Sequence, residues 1–156
     1  MTEEQSGGSV REIIYGGGLA SFRVPEDWTV EIDPYDGGCF YDPDSPGTLR
    51  LSVLNFARAA GSAAAVLPRA RKPGERLLDG GRLPVGCEFD VYETDDVEDG
   101  DPIRTRTWRI YQALPDLVRI FIFSYSYETA QEARVQAELN LVDGEIRQMR
   151  PGPAGS

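Results

Sequence analysis

Two alternating runs, Ile103–Ala113 and Leu117–Tyr125, meet at Pro115-Asp116 and read as an antiparallel hairpin. If their loop has an even number of residues, Arg106 faces Tyr125, Trp108 faces Phe123, Ile110 faces Phe121 and Gln112 faces Arg119. One face is then aromatic in its middle and carries arginine at both ends. Arg106, Trp108, Arg119, Phe121, Phe123 and Tyr125 are therefore the candidate partner-binding residues. Aromatic anchors between guanidinium clamps suit a peptide or a helix laid in a groove. The plainer reading of the same residues is sheet core, with edge arginines pairing to nearby acids. An odd loop would shift the register and undo the pairing.

Other residue types offer less chemistry. The chain has no histidine, which removes Ser-His-Asp and Cys-His catalysis and every His-containing metal site. Cys39 and Cys87 are too few for a four-cysteine metal site, and their acidic neighbours Asp42, Glu88 and Asp90 oppose a reactive thiolate. The acid run Glu88–Asp101 could suggest calcium, which takes carboxylate oxygens. Counted from Asp95 against the EF-hand loop, Val97 and Arg106 stand where ligands are needed, so a solvated hairpin is the better reading. Gly16-Gly17-Gly18, Gly37-Gly38 and Gly80-Gly81 precede no helix with a lysine and read as turns rather than phosphate loops. No cofactor or metal is expected. A general acid–base pair of carboxylates is possible among 26 acids, but no spacing singles one out.

Charge narrows the partners. The net charge is −10 and the sequence pI about 4.5, the wrong sign for a duplex-binding face, so nucleic acid is not expected. No stretch approaches the ~20 apolar residues of a membrane span. The acidic start MTEEQSGGS lacks the charged and apolar regions of a signal peptide, so a cytoplasmic protein is expected. Fifteen of 16 basic residues are arginine, and with abundant Gly, Ala and Pro this composition points to a GC-rich bacterial genome.

These features must be held by a domain of 156 residues, enough for one core. Residues 1–9 and 150–156 read as disordered tails and 10–149 as one domain. Strands are predicted at 11–15, 19–24, 28–32, 39–41, 48–56, 75–78 and 86–92, besides the hairpin, with Asp99-Gly100 as a tight turn. Ser62–Arg71 reads as a short helix interrupted by Pro68. Val135, Leu139, Val142, Ile146 and Met149 recur at steps of four and three, giving a helix over 129–149, with Thr129 and Glu132 as a capping box. Both faces of Leu117–Tyr125 are apolar, which places that strand centrally. The fold class is α+β: a mainly antiparallel sheet of about six to eight strands, a long C-terminal helix and one shorter helix.

Ala20-Ser21-Phe22-Arg23-Val24-Pro25-Glu26-Asp27-Trp28, Trp108-Arg109, the strand Arg119–Tyr125 and the closing helix together resemble the PsbP-like superfamily over about residues 10–149. That superfamily includes a photosystem II extrinsic protein, a Ran-binding import factor and type VI effector chaperones. The resemblance implies an antiparallel sheet packed by helices and a binding or chaperone role without catalysis. The expected function is thus a non-catalytic protein-binding module with a protein or peptide partner. The alternatives are a small-ligand binder or carboxylate enzyme, and a homodimer formed through the aromatic face.

Overall fold

The computed structural model describes residues 9–33, 37–57 and 74–152. In chain order the elements are β1 (Val10–Tyr15), β2 (Ala20–Pro25), β3 (Thr29–Asp33), β4 (Gly37–Tyr41) and β5 (Thr48–Ala57). They continue with β6 (Arg76–Arg82), β7 (Glu88–Glu98), β8 (Asp101–Ala113), β9 (Leu117–Glu128), α1 (Glu132–Arg147) and β10 (Arg150–Pro151). A seven-stranded sheet runs β3-β4-β5-β9-β8-β7-β6, and a three-stranded sheet runs β1-β2-β10. Every pairing among the described residues is antiparallel. The fold is α+β as expected, with two sheets where one was expected.

β9 is the fourth of the seven strands, as its two apolar faces require. One face of the large sheet meets α1 and the small sheet side by side. Val135, Leu139, Val142 and Ile146 of α1 are buried there with Phe22 and Val24 of β2. Phe22 sets its ring edge-on to Phe40 and Phe123, with centroids 5.2 and 5.0 Å away. Each such side chain contributes roughly 1.5–3 kcal/mol on leaving water, so this layer is the main source of stability. Tyr111, Val118 and Ile120 form a smaller buried cluster on the opposite face.

Local chemistry sets the connections. Asp99 and Gly100 both have positive φ, 51° and 83°, and join Glu98 to its partner Asp101 in a two-residue turn. Both residues left-handed is the type I′ turn, whose twist matches the strands. The helix start differs from expectation: Thr129–Gln131 is a 3-10 turn, α1 begins at Glu132, and no side chain caps either start. Gly80-Gly81 lies inside β6, and the turn falls later, where Gly86 N–H donates to Leu83 O at 2.8 Å. Gly37-Gly38 likewise begins β4. Residues 150–152 are ordered against the small sheet, not a tail: Arg150 and Pro151 pair with Ser21 and Ala20, and Gly152 N–H donates to Leu19 O at 2.7 Å. The short helix expected at 62–71 lies outside the described residues.

Candidate functional site

β8 and β9 carry all six candidate residues. Their register is Arg106↔Tyr125, Trp108↔Phe123, Ile110↔Phe121 and Gln112↔Arg119, because four residues separate the paired Ala113 and Val118. One face therefore holds the aromatic centre and arginine ends that the alternation predicts. That face is covered. Trp108, Phe121, Phe123 and Tyr125 have no exposed surface, because they form the floor on which α1 and β2 pack. The groove expected from their order is filled by the chain's own helix, whose apolar stripe Val135, Leu139, Val142 and Ile146 is buried in the same cluster. A homodimer through this face would require α1 to leave it.

The polar tips of these aromatic residues are met by acids of α1. Trp108 Nε1 donates to Asp143 Oδ1 at 2.8 Å. Tyr125 Oη donates to Glu138 Oε1, which also accepts from Ser45 Oγ. Burial, then the bond to Glu138, pushes the Tyr125 phenol well above its ordinary value. Gly47 belongs to this site, since a Cβ there would overlap the Tyr125 hydroxyl and ring. Sequence reasoning missed Glu138 and Asp143. Their signal is positional: each flanks the apolar stripe, one residue from Leu139 or Val142, opposite an aromatic residue with a hydrogen to donate.

The two arginine ends differ. Arg106 places Nε and Nη2 on Glu93 Oε2 at 3.1 and 2.8 Å. Arg76 Nη2 reaches Glu93 Oε1 at 3.4 Å, and its Nη1 lies 2.9 Å from Asp95 Oδ2. Arg104 Nε bonds Asp95 Oδ1 at 2.9 Å. Hydrogen bonds from Arg104 and then Arg76 hold the Asp95 carboxyl below the usual carboxylate range. This end is the arginine–acid pairing of the plainer reading. Arg119, at the other end, is buried, and among the described residues its side chain bonds a neutral amide, Asn55 Oδ1, at 3.0 Å.

The other acids and thiols are also placed. On the opposite face Asp90 accepts from Arg109 Nε at 2.9 Å and Tyr111 Oη at 3.0 Å, and Arg109 stacks 4.5 Å from the Tyr92 ring centroid. Arg147 joins α1 to the β6 edge, 3.0 Å from Asp143 and 2.8 Å from Asp79. Thus the buried and half-buried carboxylates Asp90, Glu93, Glu138 and Asp143 each serve a structural donor. Cys39 and Cys87 are free and half-buried, and burial raises both thiols. Among the described residues no group of three or more Asp, Glu or Cys could hold a metal ion. The tip of the β7–β8 hairpin runs beyond the last β9 pair, Ile103↔Glu128, and carries Asp96, Glu98, Asp99 and Asp101 around Val97, which is 63% exposed.

No protein-family model matches the sequence, and no curated protein matches it. Solved structures do match in fold. A Bacteroides thetaiotaomicron protein superposes with a TM-score of 0.62 at 18% identity, covering 94% of this chain and 50% of its own. The chain thus spans half the length of that protein. LpqN, involved in cell envelope biogenesis of Mycobacterium tuberculosis, gives 0.63 at 16% identity, covering 93% and 91%. The Saccharomyces cerevisiae Ran-binding protein Mog1p gives 0.56 at 11% identity, covering 92% and 95%. No helix among the described residues is long and apolar enough to cross a membrane. LpqN and Mog1p have the PsbP-like fold, and the arrangement of sheets and closing helix found here is that same fold.

Proposed function

We propose that this domain is a non-catalytic protein-binding module, adaptor or chaperone-like, that engages a basic partner surface through the β7–β8 hairpin tip. One observation carries the reading: a two-stranded finger presents an exposed Val97 among Asp96, Glu98, Asp99 and Asp101. No salt bridge within the described residues involves these four acids. The apolar centre supplies contact area and the carboxylate rim supplies steering. The buried carboxylates support the non-catalytic part, since each is committed to an arginine, tyrosine or tryptophan donor. The fold likeness to a Ran-binding protein is consistent with a protein partner.

The test is a paired capture experiment. The parent and an Asp96→Lys/Glu98→Lys/Asp101→Lys variant are used as baits in native lysate at low and high salt. The expected result is a stoichiometric partner held by the parent at low salt, weakened by salt and lost by the variant. Equal capture by parent and folded variant, or no partner for either, overturns the reading.

A further inference from the structure

We propose that the hairpin tip takes its partner as an added strand: an extended basic segment, with an apolar residue between two arginines or lysines, pairs antiparallel with the open edge of β7 over Thr94–Glu98. The proposal rests on the protein-binding reading of the tip and names the chemistry of the partner. β6 pairs with β7 only from Arg82↔Glu88 to Arg76↔Glu93, so β7 runs on from Thr94 to Glu98 past the start of β6.

Strand parity shows which backbone groups face that opening. Leu83 N–H donates to Cys87 O at 2.8 Å, so Cys87 turns its backbone toward the β6 side. Along an antiparallel strand every second residue does the same, and β7 is paired without a shift from Glu88 to Glu98. Asp95 and Val97 therefore point N–H and C=O outward where β6 no longer reaches. The other edge of the finger is a poorer template. β9 ends at Glu128, opposite Ile103, and the next residue of β8 toward the tip is Pro102, which has no N–H to give.

The open edge is guarded by a side chain that can move. Asp96 Oδ1 accepts from the Val97 N–H at 2.8 Å. Asp79 Oδ1 does the same for the Gly80 N–H of β6, also at 2.8 Å, and Arg147 holds that carboxylate from its other oxygen. Asp96 has no arginine holding it among the described residues. A basic residue set opposite it draws the carboxylate away and frees the Val97 amide for a new strand.

The side chains select the partner. Asp96 and Glu98 share one face of β7, and Val97, 63% exposed, lies on the other. The residues opposite Asp96 and Glu98 are then basic, and the residue opposite Val97 is apolar. A second copy of this chain does not fit. Each antiparallel register that joins the outward residues of two such edges sets Asp96 against Glu98, Asp96 against Asp96, or Asp95 against Asp95.

The probe is a fluorescent seven-residue peptide alternating valine and arginine, made also with N-methyl groups on its valines or on its arginines. All three carry the same side chains and charge. In the antiparallel pairing the valine amides face β7 and the arginine amides face away. Anisotropy with the full chain is expected to show saturable binding of the unmodified and arginine-methylated peptides, and at least about tenfold weaker binding of the valine-methylated one. Exchange of the Asp95 amide, followed by NMR, should slow when the unmodified peptide is bound. The Asp96→Lys/Glu98→Lys/Asp101→Lys variant should bind none of the three. No saturable binding of the unmodified peptide below about 1 mM overturns the proposal. So do equal binding of the two methylated peptides, an Asp95 amide left unprotected, and binding kept in the lysine variant. Equal binding of the methylated peptides by the parent, lost in the lysine variant, removes the added strand and leaves the charge-steered tip standing; the lysate capture decides that reading separately.

Discussion

Trp108 Nε1 donates to Asp143 Oδ1 at 2.8 Å, joining the floor of the large sheet to the helix that covers it. The indole has no exposed surface, so its hydrogen has no water to turn to. Asp143→Ala should therefore cost about 1–3 kcal/mol, the penalty of an unpaired buried donor. Asp143→Asn keeps an acceptor and should cost less. Urea unfolding followed by tryptophan emission measures both, and parent-like stability of Asp143→Ala would remove the bond from the account.

Gly47 is required for a different reason. Tyr125 occupies the space a side chain would take, and that ring is pinned by Glu138. Gly47→Ala must displace the ring or the turn, at a cost of about 1–3 kcal/mol. A lowered melting temperature is expected, and an unchanged one would mean the turn yields freely.

The hairpin tip gives a prediction of both signs. Asp99 and Gly100 are both left-handed. Asp99→Asn should be neutral or slightly stabilising, because Asn-Gly is the preferred pair for this turn. Gly100→Val forces a branched side chain to positive φ and should cost about 1–2 kcal/mol. Equal stability of the two variants would argue against a type I′ turn in solution.

The pH dependence follows from what titrates. With no histidine, and with both thiols raised by burial, stability should stay flat between about pH 6 and 8. Tyr125 is raised by burial and by Glu138, and Tyr127, Tyr92 and Tyr15 are raised mainly by burial. A phenol raised in the folded state gives stability that is complete below its unfolded value of about 10 and is lost as pH climbs beyond it. Alkaline unfolding should therefore set in above about pH 10. On the acid side Asp95 is lowered, so its contribution is present above about pH 4 and fades below; being exposed, it is small. Denaturant midpoints across the range test this, and a midpoint that moves sharply near pH 7 would contradict it.

Much of the fold can be read from alternation. The β8–β9 register follows from an even loop, the centrality of β9 from its two apolar faces, and the Asp99-Gly100 turn from its dipeptide. The site is less legible. Period-two patterning shows which side chains share a face, but not which element lies on it. Trp108, Phe121, Phe123 and Tyr125 give the same pattern whether they form an open groove or a helix-covered floor. The matching helix stripe is visible in the sequence; the docking of the two is not. Arg119 illustrates the same limit. Its hydrogen-bond partner is Asn55, 64 residues away, and no local spacing records that. Gly80-Gly81 and Gly37-Gly38 mislead because paired glycines mark turns by composition, whereas here they sit in strands, the first pair held by β7 and the second by β3, with Gly38 also paired to β5.

The pairing of β10 with β2 has a consequence for synthesis. The small sheet takes its third strand from residues 150 and 151, while its middle strand begins at residue 20. During translation β1 and β2 emerge early but cannot complete their sheet until about 125 further residues have left the ribosome. The helix that shields Trp108 and Phe123 comes almost as late. The nascent chain thus carries a nearly finished, uncovered aromatic sheet late in its elongation. Synthesis between the two halves of the small sheet takes about 6–25 s, during which aggregation or chaperone capture competes with closure.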